Sequence, residues 1–435
     1  MPLTGRPDQK KANHRFLCNF AIQISHNSTI SFPMEQLEIS EIFKAREVLK
    51  NVARKTPVIG PTQLSDQCEV YLKAECLQLT GSFKLRGAYY KISQLTDDEK
   101  SRGVIACSAG NHAQGVALGA TQNGIKSLIC LPTTAPLSKV EATKNFGAEI
   151  CMVPGGYDEA YRKALELKEE KQYTFVHPFD DAKVIAGQGT IGLEILSQLP
   201  EVEAVVLPVG GGGLISGVAF AIKTLRPEVK IYGVQAEGAP SMKESLDSNE
   251  KVALQKVSTI ADGIAVKEPG DLTMDLCRKY VDEIVTVSDD EIAAAILALM
   301  EKQKMVSEGA GAVALAAVMF NKLPVEGKKV VCVLSGGNID VNILSRVMTR
   351  GLVKSGRVVA LTFDLPDRPG PLTDISRIIS DLGGNVISVI HERSSSFTDI
   401  NSCLLHIEME TRNHEHVKQI KEKLREAGYS IIKTY

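Results

Sequence analysis

The stretch Ala204-Val205-Val206-Leu207-Pro208-Val209-Gly210-Gly211-Gly212-Gly213-Leu214 sets the reading of the whole chain. Its first half is a short apolar run rich in valine, as expected of a strand buried on both faces. Its second half is four consecutive glycines, followed by the apolar helical run Ile215–Thr224. Strand, glycine turn and helix together expose successive backbone N–H groups at a helix N-terminus, which suits a phosphate. No Gly-Lys-Ser/Thr follows, so this is not a nucleoside-triphosphate loop, and the spacing is not that of the GxGxxG dinucleotide fingerprint. A plain flexible turn is the alternative, although four glycines carry an entropic cost that a turn does not require.

Working outward, the same alternation recurs. Val104–Cys107, Ser127–Leu131, Ile231–Gln235 and Val330–Leu334 read as further short strands, and Pro136–Phe146, Tyr157–Glu170 and Lys183–Leu199 as amphipathic helices. Ile39–Val52 has helical spacing and opens the folded part. The pattern is that of an α/β domain with mostly parallel strands, whose ligands gather at the carboxyl ends of the strands. Near Met348–Arg357 it loosens, with Gly351, Ser355 and Gly356 close together, and a boundary is expected there. Beyond it Val358–Asp364, Asn385–Glu392, Cys403–Glu410 and Ser430–Thr434 read as strands, with helices at Pro371–Leu382 and His414–Ala427, a ferredoxin-like βαββαβ order. The expected division is therefore an extension over 1–33, a catalytic domain over 34–350 and a small domain over 355–435. The extension holds Arg6, Lys10, Lys11 and Arg15 against one acid and is expected to lie outside the fold; Met34 directly precedes the first helical pattern.

Composition narrows the function. Lys and Arg number 50 against 52 Asp and Glu, so no net field steers the protein to nucleic acid or anionic lipid. No apolar run reaches membrane-spanning length. The nine cysteines are scattered without a CxxC pair, which argues against a disulfide framework and a zinc site and for a reducing cytoplasm; no metal is expected. The expected partner is a small molecule.

Three further segments carry chemistry. In Thr80-Gly81-Ser82-Phe83-Lys84-Leu85-Arg86-Gly87-Ala88, Lys84 sits between an aromatic and small residues. A desolvated lysine amine loses its proton more easily and can form Schiff bases with carbonyl compounds. Ser108-Ala109-Gly110-Asn111-His112 follows the strand Val104–Cys107 and offers hydroxyl, amide and backbone N–H groups to a carboxylate; the same residues also suit an ordinary helix cap. Ser335-Gly336-Gly337-Asn338 follows the last strand and reads equally as a turn.

Taken together, SFKLRGA, SAGNHAQG, HPFDD, GQGTIGLE, VGGGGL, ADG, EGAGA and LSGGN resemble, in content and order, the threonine dehydratase group of fold-type II pyridoxal-phosphate enzymes, from about Pro33 to the C-terminus. The resemblance implies a two-lobed, tryptophan-synthase-β-like fold and the cofactor pyridoxal 5'-phosphate. It makes Lys84 the catalytic lysine that carries the cofactor as a Schiff base. Phe83 would flank the cofactor, Asn111 would meet its ring hydroxyl, Gly210, Gly211, Gly212, Gly213 and Leu214 would hold its phosphate, and Ser335 would face its pyridine nitrogen. Ser108, Ala109, Gly110, Asn111 and His112 would bind the substrate. A serine hydroxyl is too weak an acid to keep the pyridine nitrogen protonated, which gives a mild electron sink suited to β-elimination. The expected reaction is deaminating dehydration of L-threonine to 2-oxobutanoate and ammonia, with L-serine giving pyruvate.

The C-terminal unit resembles an ACT domain, which implies a homo-oligomer, dimer or tetramer, regulated by an amino-acid or nucleotide effector at Asp367, Gly370 and Asn385. Serine racemase shares most of these motifs, but racemases similar to this chain carry a serine just before Gly110-Asn111-His112, where Ala109 stands here. A non-catalytic amino-acid sensor is the alternative from another class; Lys84, the glycine loop and Ser335 are all retained, which argues against it.

Overall fold

The computed structural model describes residues 37–393 and 401–434; the expected extension over 1–33 lies outside them. Among these residues the strands in chain order are β1 (Val58–Thr62), β2 (Glu69–Lys73), β3 (Val104–Cys107), β4 (Ser127–Pro132), β5 (Glu149–Val153), β6 (Thr174–Phe175), β7 (Ala204–Pro208), β8 (Lys230–Ala236), β9 (Glu283–Val287), β10 (Lys329–Val333), β11 (Val358–Pro366), β12 (Asn385–Glu392), β13 (Ser402–Glu410) and β14 (Ile431–Thr434).

They form three sheets. The larger lobe has the order β1-β2-β10-β7-β8-β9, antiparallel only between β1 and β2. The smaller lobe is the fully parallel sheet β5-β4-β3-β6. Its strands fall in sequence between β2 and β7, so the smaller lobe is an insertion into the larger. Alternate residues of the large sheet serve different cores. Val206, Val234, Val330 and Cys332 pack on one face, and Val205, Leu207, Val331 and Val333 on the other. Period-two alternation with both faces covered by helices is the physical reason β7 and β10 read as nearly continuous apolar runs.

The third sheet, β12-β13-β11-β14, is antiparallel throughout. Helices Pro371–Asp381 and His414–Glu426 cover one face, with Phe363, Ile375, Ile407 and Ile420 fully buried between. This is the βαββαβ arrangement. The helix Val341–Lys354 runs through Gly351 and stops at the turn Ser355–Gly356, just before β11. Gly351 is there for close packing: a Cβ on it would lie 2.9 Å from the Ala293 carbonyl oxygen of the neighbouring helix Asp289–Ala298.

A buried ionic cluster anchors the helix Lys84–Ser93. Arg86, 1 % exposed, donates from Nε and Nη2 to the two carboxylate oxygens of fully buried Glu75, at 2.8 Å each, and from Nη1 to Glu194 at 2.7 Å. Lys73 completes it, donating to Glu194 and to the Thr56 carbonyl. Two cations thus face two carboxylates. Burial raises the Glu75 carboxyl, but the Arg86 guanidinium overcomes this and holds it below the ordinary carboxylate range.

Candidate active site

The carboxyl ends of β3, β7 and β10 face one cavity of about 920 Å³ between the two lobes. Each strand passes into one of the three turns singled out above. Phe83, Lys84, Ser108, Ala109, Gly110, Asn111, His112, Gly210, Gly211, Gly212, Gly213, Leu214 and Ser335 all line it. Side chains up to 252 residues apart in sequence, Phe83 and Ser335, are thus placed in one wall.

Lys84 opens its helix, and its Nζ donates to the Pro178 carbonyl at 2.8 Å while lying 5.4 Å from the centre of the Phe83 ring. Withdrawal from water pushes the amine down to about 8, partly offset by the Glu308 carboxylate. A neutral amine is therefore accessible near physiological pH, as a nucleophile toward a carbonyl must be.

The glycine turn is braced from behind. The Gly211 carbonyl accepts from the Thr273 hydroxyl at 2.6 Å. Gly212 has φ of +99°, where side chains strain the backbone, and a Cβ there would lie 2.7 Å from Met242 and Thr273. The helix Gly213–Leu225 starts at this turn, so its first N–H groups have no acceptor within the helix and remain for a bound anion. A lysine amine with a phosphate cradle across the same cavity matches both ends of pyridoxal phosphate, its aldehyde and its phosphate.

Asn111 is fixed by two neighbours. Its Nδ2 donates to Glu308 Oε1 at 2.7 Å, and its Oδ1 accepts from Asn338 Nδ2 at 2.7 Å. Glu308 is 4 % exposed, and burial, reinforced by Asp262, pushes its carboxyl up to about 7. Ser335 donates to the Ala310 carbonyl at 3.4 Å. His112 lines the cavity, but its Nε2 is engaged with the Val176 carbonyl at 2.8 Å and burial holds the ring neutral, down to about 3. Two ion pairs cross the mouth between the lobes: Lys139 to Asp262, and Lys267 to Asp158 at 2.8 Å.

Glu308, Asn338, Thr273 and Pro178 were not among the expected site residues. The first two lie in EGAGA and LSGGN, motifs noticed for their glycines. The expected effector residues do not converge within the chain. Asn385 lies level with Val358, where β11 begins, and donates to Glu410 at 2.8 Å. Asp367 lies past the far end of β11, roughly 30 Å away at the rise of an extended strand. Gly370, with φ of +117°, precedes the helix Pro371–Asp381 beside it.

A lysine and a phosphate cradle at the meeting of two parallel-sheet lobes define a class, the lyases, racemases and synthases that work through a carbonyl cofactor. Residues 49–336 match the family model described as pyridoxal-phosphate dependent enzyme. The L-threonine ammonia-lyase of Thermotoga maritima is 52 % identical over 397 residues, 91 % of this chain and 99 % of that protein. That of Geobacter sulfurreducens is 44 % identical over 392 residues, 90 % and 98 % of the two chains. Among solved structures, the processed form of threonine deaminase isoform 2 from Solanum lycopersicum is 40 % identical, with a TM-score of 0.68 over 72 % of this chain and 94 % of that one. Maize serine racemase is 34 % identical, with a TM-score of 0.68 over 73 % and 98 %. The chain belongs to the pyridoxal-phosphate dependent enzyme family, in its L-threonine ammonia-lyase group.

Proposed function

We propose that the protein converts L-threonine to 2-oxobutanoate and ammonia, and L-serine to pyruvate and ammonia. The observation that carries this is the placing of Lys84, Ser108–His112 and Gly210–Leu214 around one cavity. Pyridoxal phosphate, when bound, supplies an electron sink for the substrate's Cα–H bond pair. The residues do the rest. The N–H groups of the glycine turn bind the phosphate dianion, and Phe83 and Asn111 fix the plane and edge of the ring. The Ser108–Asn111 turn holds the substrate carboxylate. The neutral Lys84 amine takes the proton from Cα, and the β-hydroxyl leaves as OH− joined by one proton, so that H+ from Cα and OH− from Cβ depart together as one water. The lobes keep bulk water from the reacting atoms.

Ala109 separates this reading from racemisation. It lines the cavity without a hydroxyl, so no proton donor stands there to serve the opposite face of Cα. For the C-terminal domain we propose regulation within a homo-oligomer: β12 is an edge strand with Ile387, Val389 and Ile390 exposed, a surface suited to pairing with another copy. Because Asp367 and Asn385 lie at opposite ends of the sheet, an effector contacting both would span two copies. No helix among the described residues is long and apolar enough to cross a membrane; a cytoplasmic location completes the proposal.

The test is turnover of purified protein with threonine and serine, reading the 2-oxo acid and ammonia. Lys84→Ala should lose turnover by roughly a thousandfold or more, because nucleophile and base are lost together. Appreciable 2-oxobutanoate from that variant would sink the proposal.

A further inference from the structure

At the end of the C-terminal sheet remote from Asn385, three side chains of different chemistry converge. Cys403 opens the inward stripe of β13 and is 2 % exposed. His391, paired with Leu405 in the ladder, lies on the same face one pleat further along, and its Nε2 is 3.0 Å from the Cys403 sulfur. Asp367 joins them from the turn after β11, held by its backbone N–H to the Asn401 carbonyl at 3.0 Å. One sulfur, one imidazole nitrogen and one carboxylate oxygen all lie within 4.8 Å of one another. Nothing in the reaction above uses them.

We propose that Asp367, His391 and Cys403 form a binding site for a zinc-class divalent cation, with one coordination position left open. Ligand atoms around a tetrahedral ion stand roughly 3.5 Å apart, so the present separations need only small side-chain rotations to close on it. The donor set selects the ion. Thiolate and imidazole favour zinc or cobalt over magnesium or calcium, which prefer all-oxygen ligands. Burial and the nearby Asp367 keep the thiol protonated; on binding, the sulfur–hydrogen bond breaks, the proton passes to solvent and the electron pair forms the metal–sulfur bond. Asp367 Oδ1 meets Arg393 Nε at 3.2 Å, leaving the second carboxylate oxygen for the metal. Three protein donors make an open site, unlike the closed four-ligand pattern of structural zinc. The ligands are distant in sequence and come from three different elements, so the lack of a CxxC pair did not bear on them.

The experiment is a Co2+ titration of the full-length, cofactor-loaded protein, following the thiolate-to-cobalt charge-transfer absorption and the metal retained per chain. One equivalent with that absorption is expected, displaced by Zn2+. Cys403→Ser should abolish the absorption. His391→Ala, at an exposed position that leaves the core intact, should weaken binding about tenfold or more, since even groups that only orient a ligand act on that scale. Absence of the absorption at saturating Co2+, or its persistence with unchanged affinity in either variant, would overturn the site and leave only a thiol–imidazole hydrogen bond.

Discussion

Replacing Arg86 with Met should be among the most damaging single changes in the chain, although Arg86 meets no substrate. The side chain fits, but the cluster it leaves holds Glu75 and Glu194 against Lys73 alone. Removing one partner of a buried pair costs about 3–5 kcal/mol, because an uncompensated charge stays behind. The companion change Glu75→Gln restores one cation facing one carboxylate, and removing both partners of a buried pair is often close to neutral. The double variant should therefore recover much of the loss. The pH dependence carries a second sign. In the parent Glu75 has a lowered carboxyl, so its contribution is present above the ordinary carboxylate range and is lost as pH falls through the lowered value. In Arg86→Met, burial without the guanidinium raises the same carboxyl, so the folded form gains on acidification and the penalty narrows. Urea denaturation of all three proteins at matched cofactor concentration, at neutral and mildly acidic pH, reads these differences. A loss under about 1 kcal/mol for Arg86→Met, or a double variant no more stable than the single, would refute the uncompensated-charge account.

Since the Lys84 amine is pushed down to about 8, the rate at which cofactor-free protein takes up pyridoxal phosphate should climb through that pH and level above it; a flat rate between about pH 7 and about pH 9 would contradict a neutral-amine requirement. Gly351→Ala should destabilise the protein by about 1–3 kcal/mol in the same denaturation assay, because its Cβ has no room against the Ala293 carbonyl. Ala109→Ser restores a hydroxyl to the cavity wall, and chiral analysis of residual L-serine should then detect D-serine while dehydration persists; D-serine from the unaltered protein would show that the missing hydroxyl is not what confines the reaction.

Strands β3, β4, β7, β8 and β10 were legible in the sequence, because each is a predominantly apolar run. Strands β1, β2, β5, β6 and β9 were not. Gly60 and Pro61 break β1; β2, β5 and β9 each open on a glutamate; and β6 is only Thr174–Phe175. The role of Gly351 was not legible, since a glycine that admits a neighbouring helix is indistinguishable in sequence from one that opens a turn. At the site, Lys84 and the glycine turn stood out because their chemistry is local. Glu308 did not, since its character depends on burial and on Asn111, 197 residues away. The remoteness of Asp367 from Asn385 followed from strand register, which βαββαβ order alone does not specify.

The insertion of the smaller lobe has a consequence for how the chain emerges during synthesis. In the large sheet β2 has only β1 and β10 as neighbours, and Glu69 pairs with Lys329, 260 residues later. By contrast, β3 to β6 all lie between Val104 and Phe175 and can assemble as soon as that stretch leaves the ribosome. Until β10 arrives, one edge of β2 stays open, including the fully buried side chains of Val70 and Leu72, and the loop to be closed is among the longest the chain contains. Such an edge is a template for wrong partners. Chain interruptions between β7 and β10 should therefore leave aggregation-prone fragments, while the smaller lobe alone has already made its strand pairings.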